Sequence, residues 1–486
     1  MGSKRFAAVA AVAFVVVGGF AAPARAAEIL NTAVVADGTL TAIFKDTEAN
    51  SQIDIDLQDG YVVIANRWGW LDPGAGCTAV DGRTVRCKAD VITGVSVAAG
   101  AGDDTITKTA SVPGVLDGGP GDDVIKGGPT GGSGSNRLIG AAGKDWLVGG
   151  PDRDVLDGGL DGDLFGSDGG YTTVSYGSRT ARVVAGIGKG SGGEAGEGDV
   201  IDASVWEIEG GSGDDELTGD LGVAQRSHSL LGGPGNDLLT AGHEGNVLVG
   251  GDGDDVLKAT YGVYATSEFR GGDGRDEVTY AGRNEKLSIT LDDVANDGNG
   301  RDNVHSDVEN LTGGWGADTL TGDDAANTID GGGGDDVLVG VGGNDTLDGG
   351  YDSDTIEGGD GDDTIPAGPA DRAADTVHGG AGTDTVSYRD RSGYLSITLD
   401  GVANDGQWIG SGWEGDNIGT DVETVYGGAG SDTIVGNTGS NHLYGLSGND
   451  TINGVDGIEG NDTVDGGDDT DACTADHGDA SANCES

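Results

Sequence analysis

Along most of the chain a single aliphatic residue recurs every nine positions, with a polar or small residue on either side. Residues 313–366 divide without remainder into GGWGADTLT, GDDAANTID, GGGGDDVLV, GVGGNDTLD, GGYDSDTIE and GGDGDDTIP. The eighth place is always aliphatic: Leu320, Ile329, Leu338, Leu347, Ile356 and Ile365. One inward side chain between two outward neighbours is the period-two pattern of a very short strand. Glycines at the first, second and fourth places let the backbone take positive φ and turn tightly. Two such half-turns make a coil of eighteen residues, and coils stack at strand spacing, about 4.8 Å. The predicted fold is all-β: a right-handed parallel β-roll, or β-solenoid, of nonapeptide repeats.

The same unit recurs at 99, 118, 131–166, 210, 232–258, 271, 379, 427–453, 457 and 466, about twenty-three copies in all. Its sixth place is always Asp or Asn. Stacking sets these residues over one another, Asp318 over Asp336 over Asp354, and Asp345 over Asp363. Composition sharpens the consequence. The chain has 486 residues, 99 of them glycine, only 5% aromatics and a formal net charge of -58. So thin an aliphatic seam does not offset chain entropy plus stacked like charges, so a cation must sit between coils. Calcium fits, because it accepts six to eight oxygens in flexible geometry and the turns offer carbonyls beside the carboxylates. Magnesium demands a stricter octahedron, and zinc would want His or Cys. The candidate ligands are Asp104, Asp123, Asp145, Asp154, Asp163, Asp215, Asp237, Asp255, Asp276, Asp318, Asn327, Asp336, Asp345, Asp354, Asp363, Asp384, Asp432, Asp450 and Asp462. Units with Asn136, Asn246, Asn327 or Asn441 in the sixth place carry one charge fewer and are expected to bind more weakly.

The pattern GGxGxDxUx resembles the RTX, or hemolysin-type, calcium-binding repeat over most of residues 99–474. The resemblance implies a parallel β-roll, Ca²⁺ held between adjacent loops by the motif's Asp side chains and backbone carbonyls, and folding that depends on calcium. The chain departs from the family's best-known members in having an N-terminal secretion signal and no recognisable enzyme or toxin domain.

Other segments complete the expected organisation. Residues 1–26 read as a signal peptide, with Lys4 and Arg5 before an apolar stretch and Ala24-Arg25-Ala26 as the cleavage signal. That stretch is too short and wrongly flanked for a transmembrane anchor, so a secreted, extracellular or cell-surface protein is expected. Residues 27–98 alternate at period two and predict a small β-rich domain capping the first coil. Four cysteines form two local pairs, Cys77 with Cys87 and Cys473 with Cys484. An even count in an exported chain favours disulfides; a zinc cluster is the alternative, without CxxC spacing or a His set to support it. Repeats at 99–173, 210–279, 313–387 and 427–474 alternate with insertions at 174–209, 280–312 and 388–426, and 475–486 form a disulfide-capped tail. The last two insertions share LSITLD, VANDG and DVE. They read as duplicated β-decoration closed by the ANDG turn, or, more sharply, as partner-binding surfaces or extra Ca²⁺ loops at Asp297 and Asp405.

No HExxH, GxSxG or GxxxxGK[ST] occurs, and the paired acids recur in phase with the metal motif. A non-enzymatic structural or surface role is therefore expected. An adhesin or surface-layer component gripping a cell-surface or polysaccharide partner is one alternative, and a hydrolase with an unrecognised site the other. So acidic a surface excludes nucleic acid as a partner.

Overall fold

The computed structural model describes residues 31–45, 50–128, 135–222, 226–243, 245–260, 266–370, 372–410 and 412–485. The leader expected at 1–26 lies outside these residues. The chain winds into an all-β parallel solenoid of about 18 turns. Its core is the eighth-position seam: Leu320, Ile329, Leu338, Leu347 and Ile365 are fully buried, and Ile356 nearly so. Register runs Leu320 to Leu338 to Ile356 on one face and Ile329 to Leu347 on the other, which is the eighteen-residue coil. Each inward side chain contributes about 1.5–3 kcal/mol on burial, so the seam alone holds each coil weakly.

Five sheets, parallel through the repeats and antiparallel only at the cap and beside insertions, share the two faces. A 13-stranded first sheet runs from the N-terminal region to Asn303–Val304, and a 10-stranded second sheet closes at Asp199–Ile201 and Gly190–Gly192. A 14-stranded third sheet extends from Val184–Gly186 to Ala480–Ala482. A six-stranded fourth sheet runs from Ser288–Thr290 to Asn417–Ile418, and a five-stranded fifth sheet includes Leu395–Thr398 and Ala472–Thr474.

The three insertions have one topology. In each, the chain lays the first strand of a new sheet, returns to lay the last strand of an old one, and then rejoins the uninterrupted face. The second insertion starts the fourth sheet at Ser288–Thr290, ends the first at Asn303–Val304, and resumes the third at Asn310–Thr312. The third insertion starts the fifth sheet at Leu395–Thr398 and ends the fourth at Asn417–Ile418. The first insertion starts the third sheet at Val184–Gly186 and ends the second at Asp199–Ile201. The insertions therefore do not separate short rolls: one face runs through while the other is handed from sheet to sheet.

Both ends are closed. Antiparallel hairpins at 32–43 and 52–66 feed the same sheets as the roll, since Thr39–Ile43 pairs with Gly94–Ala98 and Gln52–Gln58 with Thr105–Lys108. Cys77 is bonded to Cys87 within this cap. Cys473 is bonded to Cys484, and Ala480–Ala482 adds to the third sheet beside Thr463–Asp468. Covering the terminal strand edges removes the unpaired ladders on which a solenoid would otherwise aggregate.

Candidate metal centre

The sixth-position side chain points into the turn because the next two residues enter a strand. Every predicted ligand is buried, none more than 3% exposed. Each Asp spends Oδ1 in the same way, accepting the main-chain N–H of the matching residue one coil earlier. Asp336 Oδ1 takes the N–H of Asp318 at 2.7 Å, and Asp345, Asp363, Asp237 and Asp450 repeat the bond to Asn327, Asp345, Asp215 and Asp432. The result is a carboxylate ladder parallel to the aliphatic one.

The second oxygen divides the candidates. Oδ2 of Asp123, Asp145, Asp163, Asp237, Asp255, Asp276, Asp336, Asp345, Asp363, Asp384, Asp450 and Asp462 is buried without a hydrogen-bond partner. A buried acceptor left unmade costs about 1–3 kcal/mol, more when charged, and a dozen aligned at the same repeat position call for a common cause. Asp215, Asp318 and Asp432, each the first unit-bearing rung after an insertion, differ. Their Oδ2 accepts the N–H of the unit's second glycine, Gly211, Gly314 and Gly428. Asp154 is likewise engaged at both oxygens, by Asn136 and Gly150, and buried Lys108 lends it a positive charge. Asn327 and Asn441 turn their Oδ1 onto the N–H of Asp323 and Asn437. Asp104 and Asp354 lie in the same ladders.

The orphaned oxygens face a second oxygen source. A Cβ built on Gly340 would lie 2.2 Å from Asp345 Oδ2 and 2.3 Å from the carbonyl oxygen of Gly358 in the next coil; at Gly358 the same two distances, to Asp363 and Gly379, are 2.3 and 2.3 Å. The first-place glycine is thus required by a small space lined by a carboxylate from one coil and a carbonyl from the next. Among the described residues no three His, Cys, Asp or Glu side chains gather as a metal cluster. A cation here would draw its remaining ligands from main-chain carbonyls, which suits calcium and not zinc.

Electrostatics point the same way. Burial, and then the neighbouring aspartates, push the carboxyls of Asp123, Asp163 and Asp336 up to about 8 and Asp255 to about 7. Without a cation these four rungs resist ionising at neutral pH, while Asp145, Asp237, Asp276, Asp345, Asp384 and Asp450 are raised only to about 6.

The insertions bury acids of another kind. Asp297 Oδ1 accepts the N–H of Thr290, the end of the new sheet's first strand, at 2.8 Å, while Oδ2 accepts that of Val304 in the old sheet's last strand at 2.7 Å. Asp405 does the same with Thr398 and Ile418. With both oxygens accepting N–H donors, these two act as staples between sheets, which accounts for their burial without an ion. The first insertion bridges its strands by main chain alone, at Ile187 and Ile201. All three share a buried tyrosine whose hydroxyl donates to an aspartate: Tyr176 to Asp199, Tyr280 to Asp302 and Tyr388 to Asp416. Arg179 and Arg391 pair with Glu197 and Glu414 beside them.

Several ladder acids escaped the sequence reading, Asp199, Asp375 and Glu485 among them. Asp471 is a fully buried ladder member with an orphaned Oδ2, in phase with the motif in the unit at 466. Glu309 and Glu423 take the sixth-position role at the insertions, their Oε2 accepting the N–H of Asp276 and Asp384. Their signal was the shared DVE triplet, whose glutamate stands where the motif has Asp.

Eight stretches of the chain, at 115–129, 130–165, 207–223, 229–259, 312–347, 339–368, 370–389 and 426–458, match the family model of the RTX calcium-binding nonapeptide repeat. No curated protein matches the chain. The carboxylate ladder runs through the matched stretches and beyond them to Asp104, Asp462 and Asp471, and RTX repeats bind Ca²⁺ in multiple copies. Motif, solenoid and ladder agree, and the chain carries RTX calcium-binding nonapeptide repeats in multiple copies.

Proposed function

We propose that this is a secreted, non-enzymatic structural protein whose roll folds as Ca²⁺ enters between its coils. The carrying observation is the set of buried Oδ2 atoms without partners, most of them beside a main-chain carbonyl of the next coil. The ions sit at Asp123, Asp145, Asp163, Asp237, Asp255, Asp276, Asp336, Asp345, Asp363, Asp384, Asp450, Asp462 and Asp471. At these places Ca²⁺ supplies the missing positive charge and joins consecutive coils. Outside the cell, millimolar calcium drives the transition by mass action, because the ion binds the wound chain and not the unwound one. Two disulfides support an oxidising destination, and among the described residues no helix is long and apolar enough to cross a membrane. Circular dichroism of the mature chain during a calcium titration tests the reading. A β signal that grows cooperatively with calcium is expected; a full β signal in EDTA would sink it.

A further inference from the structure

Trp315, Gly333 and Tyr351 hold the third place of three successive units on one side of the roll. The two aromatic side chains are 61% and 51% exposed, yet their rings lie 6.5 Å apart with planes 22° from parallel. Gly333 makes this possible: a Cβ there would come 3.0 Å from Trp315 Cε3. Any larger residue between them would push the rings apart. Large aromatics held in the open as an ordered pair indicate a contact surface, since exposure costs them their hydrophobic gain.

The pair borders a cavity of about 500 Å³, within the range of small-molecule sites. Its ends are formed by the starts of the second and third insertions, at Gly282 and Asp390. Three carboxylates line it, Asp330, Asp348 and Asp390, and the first two are register partners in the third sheet. Asp330 and Asp348 each hold Oδ1 on the N–H of the glycine two residues on, Gly332 at 3.0 Å and Gly350 at 3.1 Å. That bond fixes the carboxylate and leaves Oδ2 able to accept from a ligand.

We propose that the cavity between the second and third insertions binds a neutral carbohydrate chain, stacked on Trp315 and Tyr351 and hydrogen-bonded through Asp330 and Asp348. The C–H face of a pyranose ring carries the slightly positive hydrogens that a ring's negative face attracts, and its hydroxyls are donors for carboxylates. A chain of such rings repeats along the roll as the aromatic pair does. Phosphate, sulfate and uronate are repelled by these carboxylates and by a net charge of -58. A quaternary ammonium would call for aromatic walls around it, whereas these two rings are near-parallel. The inference rests on the calcium-loaded roll proposed above.

The test uses the full mature chain saturated with calcium, applied to an array of neutral and anionic oligosaccharides, with calorimetry on each hit and on choline. Binding of at least one neutral oligosaccharide, with a change in tryptophan fluorescence, is expected. Trp315→Ala and Gly333→Val should each weaken it at least ten-fold, Asp348→Asn three-fold or more, and Trp68→Ala, at an exposed tryptophan of the cap, not at all. Circular dichroism against calcium is recorded for every variant. Because Asp348→Asn keeps the platform, it serves if Trp315→Ala or Gly333→Val disturbs winding. No neutral glycan bound, choline bound in its place, or affinity untouched by Trp315→Ala and Asp348→Asn overturns the proposal. Failure of the calcium reading would show instead as dichroism indifferent to calcium.

Discussion

Asp336 in a repeat turn and Asp297 in an insertion are buried to the same depth, 1% and 0% exposed, and each accepts a main-chain N–H through Oδ1. They part at Oδ2. In the insertion it meets the N–H of Val304; in the turn it meets none and looks onto a carbonyl. Burial alone therefore does not make an aspartate a metal ligand. A carboxylate whose two oxygens both have N–H partners is accounted for without a cation. One with an orphaned oxygen among other oxygens is incomplete until a cation arrives. On the function proposed above the turns depend on calcium, while the insertions keep sheet continuity by main-chain N–H bonds.

The largest expected effect that could break this contrast is on winding itself. Hydrogen exchange in EGTA should strip the amides of 313–366 of protection by a thousand-fold or more. The disulfide-stapled cap at 50–98, which has antiparallel pairing of its own, should keep most of its protection. Equal loss in both regions would show that calcium acts on the whole chain and not on the turns.

Next in size are substitutions at the two kinds of acid. Asp297→Ala and Asp405→Ala each leave two main-chain N–H groups without acceptors, costing about 2–5 kcal/mol in calcium-saturated thermal unfolding. Their calcium stoichiometry by calorimetry should be unchanged. Asp336→Ala and Asp363→Ala should instead lower the stoichiometry and shift the folding midpoint to higher calcium. A lowered stoichiometry in Asp297→Ala would erase the distinction.

A smaller effect is on pH. The ladder carboxyls at about 7 to 8 lie far above the ordinary value of 3.8, so the ion-free wound chain binds more protons than the unwound chain across that interval. The wound ion-free form is therefore favoured by acid and progressively disfavoured as pH rises from about 4 through 8. Calcium must displace these protons. Its midpoint concentration should rise as pH falls from 8 to 6, and binding should release protons, read as a buffer-dependent heat in calorimetry. A midpoint independent of pH would contradict the ladder as the site.

The smallest effect is expected at the first rung after an insertion. Asp318→Asn should change calcium stoichiometry little, because both oxygens of Asp318 are already held by Leu287 and Gly314. Asp345→Asn, one charge lost at an orphaned oxygen, should shift the midpoint clearly. Titration of the two variants side by side measures the difference.

The nine-residue phase determined the solenoid, the eighteen-residue coil, the inward seam and the stacked carboxylates, because a repeat unit that cannot bury its own apolar residue has to stack on its copies. The pairing of four cysteines was legible too, from their local spacing. What only the tertiary structure decided is what happens between distant stretches. Glu309 and Glu423 enter the ladder through contacts across 33 and 39 residues, and Asp297 and Asp405 reach both sheets of a handover. Asp215, Asp318 and Asp432 carry the same motif letter as their neighbours, yet follow coils without a repeat turn and close on their own glycines. The sequence names the residue in each place; the hydrogen bonds left over after winding decide which carboxylate still lacks a partner.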